Sequence, residues 1–201
     1  MSVIHISVLS GKLKGFQSIN TNTVTNSFCQ KMQKTDAVCR ACYSQAMLTG
    51  SRKNCQDSFQ RNSDVLSHSR IPLHLLPRIN QAWFRFHAHG ELINMVHFVN
   101  LVNVADVNPQ TMFALWTKRK DIIGEYIDLG FKIPENLILI YSNPSTKKVI
   151  TKIPKNFNKV FNVSEIDHEG ENCTGQKCID CLACYKFSGM NVLIEKMKKR
   201  S

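Results

Sequence analysis

The stretch "CTGQKCIDCLACY" places Cys173, Cys178, Cys181 and Cys184 close together near the C-terminus. The last three follow C-x2-C-x2-C, and a C-x4-C step sets Cys173 ahead of them. Thiolates two residues apart let a loop wrap a cubane and reach it from several directions, as in the cysteine run of bacterial ferredoxins. The rival is a tetrahedral all-cysteine zinc site, whose ligands usually arrive as two separate pairs. Three ligands in one tight run favour a [4Fe–4S] cluster over zinc. His168, just ahead, is placed to donate a hydrogen bond to such a ligand set.

A second group lies near the N-terminus: Cys29, Cys39, Cys42 and Cys55. Only Cys39 and Cys42 are neighbours, in "CRACY". They read either as a redox dithiol or as two ligands of a second cluster completed by Cys29, with or without Cys55. Otherwise Cys55 is a thiol on a polar helix. The spacing also permits one cluster with ligands from both ends, so one or two clusters are expected.

Further candidates sit where strands end. "WFRFHAHGEL" reads as a strand over 83–89, with Trp83, Arg85, His87 and His89 on one face and Phe84, Phe86 and Ala88 on the other. His87, His89, Gly90 and Glu91 would line a small-molecule pocket, Glu91 binding a ligand amine or capping the next helix. Lys118 ends the next strand and Ser142 the one after. Lys118 and Arg119 suit an anionic group, or else are helix-start cations. Asn143-Pro144 is a turn signal.

These positions need a scaffold. Val3–Leu9 alternates as a strand, and a polar loop follows, carrying Cys29. "DAVCRACYSQAMLTG" reads as a helix with Thr35 or Asp36 as its cap and Gly50 as its stop. A second, mostly polar helix spans about 51–67, and a short one about 76–81. Strand 83–89, a helix in "GELINMVHFVNLVNVADVNP" with Pro109 past its end, the strand "TMFALWT", a helix over "KRKDIIGEYIDLGF", and the strands "NLILIYS" and "KVFNVS" follow. Such alternation means parallel strands with right-handed crossovers. The expected fold class is α/β: a partial (βα) barrel of mostly parallel strands plus a cysteine-rich C-terminal metal-binding extension. Sites then lie at the C-terminal ends of the strands. The expected division is a barrel with its cysteine loop over 1–167 and a cluster segment with a basic C-terminal helix over 168–201. That segment lacks apolar periodicity and needs a metal to order it.

The chain has 201 residues, 43% of them hydrophobic, and a formal charge of +11. This size suits one domain with a sizeable core. Eight cysteines without a signal-peptide pattern point to a cytoplasmic protein that uses thiols for metal rather than disulfides. No apolar run reaches a membrane span. The positive charge suits a nucleic-acid partner, although two four-thiolate dication sites would lower it by roughly four. The tail "EKMKKRS" reads as a solvated helix end.

Two resemblances add to this reading. The order strand, cysteine loop, helix, strand, "HGE" resembles radical S-adenosylmethionine enzymes, in which a Gly-Gly-Glu turn after the second strand binds the methionine amine. Gly90 and Glu91 fall at that place. The departures are C-x9-C-x2-C in place of C-x3-C-x2-C, and one glycine where two are usual. A fourth thiolate from Cys55 would also close the iron that this cofactor needs. Separately, "CRACY", "RFHAHGEL", "FALWTKRK", "NLILIYSNPS" and the late cysteine run, in this order, resemble a family of bacteriophage proteins named after a numbered mycobacteriophage gene product. His89 and Glu91 stand where that family has the serine and aspartate of His-x-Ser-Gly-Asp. The resemblance implies a viral source and a cluster.

Three functions are thus in view. The first is an iron–sulfur protein, radical-SAM-like or redox-active, working on a small molecule at the barrel mouth. The second is a zinc-stabilised nucleic-acid-binding or interaction module. The third is a dithiol protein centred on Cys39 and Cys42, which leaves the late run unexplained.

Overall fold

The computed structural model describes residues 4–35, 38–166 and 168–197. Asp36, one of the expected helix caps, lies outside them. The chain runs β1 (Ile6–Val8), β2 (Gln17–Ile19), α1 (Ser27–Gln33), α2 (Tyr43–Thr49), α3 (Gln56–His68), β3 (Trp83–Phe86), α4 (Met95–Asp106), β4 (Met112–Thr117), α5 (Lys120–Asp128), β5 (Leu137–Ser142), β6 (Lys159–Ser164), α6 (Cys178–Cys181) and β7 (Val192–Lys196). The strands form one seven-stranded sheet in sequential order; β1 and β2 are antiparallel and every later pair is parallel.

Alternation along the strands sorts their side chains into two cores. Phe84 and Phe86 of β3, Phe113 and Leu115 of β4, and Leu137 and Leu139 of β5 face the helices, packing with Leu66 of α3, Phe98 and Leu101 of α4, and Ile122, Ile123 and Tyr126 of α5. Phe86 and Phe113 stack there at 4.9 Å between centroids. Each fully buried side chain of this kind contributes about 1.5–3 kcal/mol. The opposite face carries Ala114, Trp116, Ile138 and Ile140, packed against Phe16 and Tyr185. Asn94 caps α4 by accepting from the His97 N–H at 2.9 Å. Asn100, buried in the same helix, bonds Ile71 N, Leu66 O and Ser69 O, so its amide is a satisfied core group.

The sheet curls until its two edges are bridged by side chains. The 3-10 turn Gly11–Leu13 follows β1, and from it Lys12 Nζ reaches Glu195 Oε1 of β7 at 2.5 Å. A Cβ added to Gly15 would lie 3.6 Å from Ile179 of α6. Tyr185 fills the concave face, stacked on Phe16 at 4.7 Å and edge-on to Trp83 and Trp116. The sheet therefore stays open between β1 and β7, with the late cysteine segment lying across its concave face.

Several local expectations change. β3 ends at Phe86, because His87 takes a left-handed φ of 61° and Gly90 one of 122°. His87 and His89 therefore do not continue the Arg85 face. The polar loop after β1 holds β2 and α1; a three-residue strand with Gln17 and Ser18 in it has no apolar signature. The helix containing Cys39 is split into a 3-10 turn, Val38–Ala41, and α2. The helix expected over about 51–67 begins later, at Gln56, after the 3-10 turn Lys53–Cys55. Residues 76–81 are not helical; Pro72 and Pro77 flank a single 3-10 turn at Leu73–Leu75. Val192–Lys196, expected in a C-terminal helix, is strand β7, because β6 offers it a parallel edge; residues 198–201 of that expected helix lie outside the described ones.

Candidate functional site

At the C-terminal ends of the parallel strands lies a cavity of about 510 Å³. Seven of the eight cysteines line it, all as free thiols. Cys29 comes from α1, Cys39 from the 3-10 turn and Cys42 from the cap of α2. Cys173, Cys178, Cys181 and Cys184 come from the segment between β6 and β7. Cys55, at the start of α3, does not line the cavity; its thiol meets Asn54 Oδ1 at 3.8 Å. Among the described residues, no three histidine, cysteine or acidic side chains stand close enough together to hold an ion as arranged.

Electrostatic neighbours divide the lining thiols into two sets. Cys29 is raised by burial and then by Glu91, Cys39 and Cys42. Burial also raises Cys39, with Cys42 adding to it. In the late set, burial pushes Cys184 up to about 12, and Cys173, Cys178 and Cys181 reinforce the shift. Cys173 and Cys178 are raised by burial too. A raised thiol of this kind binds a metal only with release of its proton to solvent.

Cations stand against both sets. For Lys118, burial opposes the charge but is outweighed by Cys39, Glu91, Cys29 and Cys42, so its pKa lies above the ordinary value. Around the late set, Lys12 Nζ is 3.8 Å from Cys173 Sγ. The Arg85 guanidinium carbon lies over Trp116, 3.8 Å from the ring centre, and its charge favours the Cys178 and Cys184 thiolates. Buried Lys159, near Cys184, bonds Met190 O and Asn191 Oδ1. Among the described residues, Arg85, Lys118 and Lys159 form no ion pair.

His87, His89, Gly90, Glu91, Lys118 and Ser142 also line the cavity. His87 is buried against His97, and burial, partly offset by the Trp116 backbone, holds its pKa down to about 3. His89 Nδ1 meets Ser44 Oγ at 2.9 Å, and Ser44 Oγ meets Thr23 Oγ1 at 3.2 Å. Burial, then Arg52 and Arg85, lowers His89 to about 4. Gly90 is obligatory: besides its φ, a Cβ there would collide with Thr21 Oγ1 and approach His87 Cδ2 to 3.2 Å. Glu91 serves the scaffold. Its Oε1 accepts from Leu92 N at 2.8 Å and Thr117 Oγ1 at 2.5 Å, and its Oε2 from Lys118 N at 2.9 Å. Its carbonyl accepts from Asn26 Nδ2, the cap of the helix bearing Cys29. These bonds tie Glu91 to the scaffold at the cavity wall, and its Oε2, accepting one bond, keeps acceptor capacity for a further donor. Lys118 Nζ donates to Ser142 Oγ at 3.1 Å.

Lys12, Ser44, Trp116 and Tyr185 join the cavity without having been read as site residues. One signal was available: "CRACY" at 39–43 and "CLACY" at 181–185 repeat the pattern Cys-x-Ala-Cys-Tyr. Both tyrosines anchor their cysteines, Tyr43 by donating from its hydroxyl to Ala88 O and Tyr185 by filling the concave core.

The fold and cavity define the class: an α/β protein with an open, curled parallel sheet whose mouth is lined by two sets of cysteines. The chain belongs to the Gene product 88 family, whose model matches residues 9–183. Comparison with the curated proteins and with the solved structures returned no match. No helix among the described residues is long and apolar enough to cross a membrane.

Proposed function

We propose that this chain is an iron–sulfur protein that handles a small molecule at its barrel mouth. Cys173, Cys178, Cys181 and Cys184 would hold one [4Fe–4S] cluster, and Cys29, Cys39 and Cys42 a second. The observation that carries this reading is the convergence of seven thiols, from opposite ends of the chain, on one cavity in two sets. The donor set is all sulfur, which suits iron–sulfur clusters. The unpaired cations beside both sets suit anionic, thiolate-ligated centres. When bound, such clusters supply one-electron chemistry. The chain's own part is to hold them, exclude bulk water and orient the ligand. With Cys55 outside the cavity, the early cluster has three protein thiolates and one iron open to a further ligand. S-adenosylmethionine remains a candidate for it.

The test is iron, sulfide and zinc analysis with an optical spectrum on protein purified without oxygen. Two clusters predict about eight irons per chain and a broad band near 400 nm, roughly where such clusters absorb. Stoichiometric zinc without sulfide would overturn the reading. It would favour the second one, a zinc-stabilised module that binds nucleic acid through its net charge of +11, with log affinity falling linearly in log salt.

A further inference from the structure

We propose that Lys118 and Ser142 form a carboxylate-binding subsite on the cavity wall beside Cys29, Cys39 and Cys42, so that the small molecule is a carboxylate with an apolar body. This rests on the reading of the cavity as a small-molecule site, and it names the ligand class.

The two residues meet because of strand register. Thr117 of β4 pairs with Tyr141 of β5, which sets Lys118 beside Ser142 where both strands deliver their ends to the cavity. The Lys118 backbone is pinned by its N–H to Glu91 Oε2, so the ammonium projects from a fixed point. Among the described residues that ammonium makes one hydrogen bond, to Ser142 Oγ. Two of its three N–H donors are left over. Ser142 Oγ accepts from Lys118, and so keeps its own O–H to give. Glu91, the nearby carboxylate, has both oxygens on Leu92 N, Thr117 Oγ1 and Lys118 N and forms no ion pair with the ammonium. A half-buried cation with no carboxylate partner among the described residues, and a hydroxyl donor beside it, is complementary to an oxyanion.

The size of the donor set selects the class. A phosphate dianion is normally cradled by several successive backbone N–H groups, and the donors here are one ammonium and one hydroxyl. A planar carboxylate needs no more. Phe28, Val38, Trp116, Phe161 and Val163 make much of the remaining wall apolar, which suits a hydrocarbon or aromatic body.

The experiment measures binding by tryptophan fluorescence, Trp116 being in the wall. Acetate, hexanoate and 3-phenylpropionate are titrated, each beside its neutral amide, with inorganic phosphate as a further arm. Iron and sulfide are measured on the same preparation. The expected result is saturable binding of the longer acids, about tenfold or more tighter than their amides, the size of a charge-assisted hydrogen bond. Lys118→Met should abolish that preference, Ser142→Ala should weaken the acids several-fold, and Lys118→Arg should retain part of it. If Lys118→Met does not fold, Ser142→Ala and Lys118→Arg carry the test. Equal binding of acid and amide, unaltered binding in the Lys118 variants, or no saturable binding by any acid overturns the subsite. In those cases the ammonium merely balances thiolate charge. Phosphate competing as well as hexanoate overturns the carboxylate class. Iron-loaded protein without acid preference refutes the subsite alone. Zinc-loaded protein that still prefers the acids through Lys118 refutes the clusters and keeps the subsite.

Discussion

Replacing Glu91 by alanine separates a scaffold role from a ligand role. The buried carboxylate accepts from Leu92 N, Thr117 Oγ1 and Lys118 N at 2.8, 2.5 and 2.9 Å. Removing it strands three donors. Each unsatisfied buried donor costs about 1–3 kcal/mol. The three share one vacated space that water can partly fill, so the penalties do not add in full. The expected loss is about 3–5 kcal/mol, as when one partner of a buried charged network is removed. Glu91→Gln keeps one good acceptor but turns an NH2 toward a donor, and should lose roughly half as much. Thr117→Val removes one of the donors, so Glu91→Gln and Thr117→Val should couple by about 1 kcal/mol in a double-mutant cycle. The assay is urea unfolding, read as a midpoint shift at constant slope. A loss under about 1 kcal/mol for Glu91→Ala, together with abolished ligand binding, would refute this reasoning and restore Glu91 as a binding group.

Other outcomes follow from the same geometry. His87 and His89 stay neutral in the fold, with pKa values held at about 3 and about 4. The unfolded chain takes up protons near pH 6.5, so stability is full above that value and falls as pH drops toward the folded values. By pH 5 the loss is about 2 kcal/mol per histidine, read from urea midpoints at pH 7 and 5, and His89→Gln should flatten the slope. Gly90→Ala combines a φ of 122° with a clash on Thr21, and should cost about 3 kcal/mol in the same assay. For metal content, Cys55→Ser should keep all the iron. Cys39→Ser should lose only the early site and Cys181→Ser only the late one, measured as iron and sulfide per chain.

What could be read from the sequence is what short-range patterning controls. β4 and β5 were legible because "TMFALWT" and "NLILIYS" are apolar runs bounded by turn residues, as strands covered on both faces must be. The parallel, mostly sequential sheet followed from their alternation with α4 and α5. The late cysteine run was legible because all its members lie within one segment. β2 was not, since Gln17, Ser18 and Ile19 become a strand only when β1 and β3 flank them. The early trio was not settled either. Cys29 lines the same cavity as Cys39 and Cys42 on a helix that Asn26 caps while bonding the Glu91 carbonyl, a contact across the fold that spacing cannot encode. The strand stopped short of the two histidines for a local reason, the positive φ at His87, which nothing in an alternating stretch announces, although Arg85, His87 and His89 all line the cavity. The meeting of the two cysteine sets was decided by the curl of the sheet, which brings Lys12 to Glu195 and seats Tyr185 in the concave face. Periodicity reports which side of an element is buried, whereas convergence of distant segments depends on how every strand twists against the next.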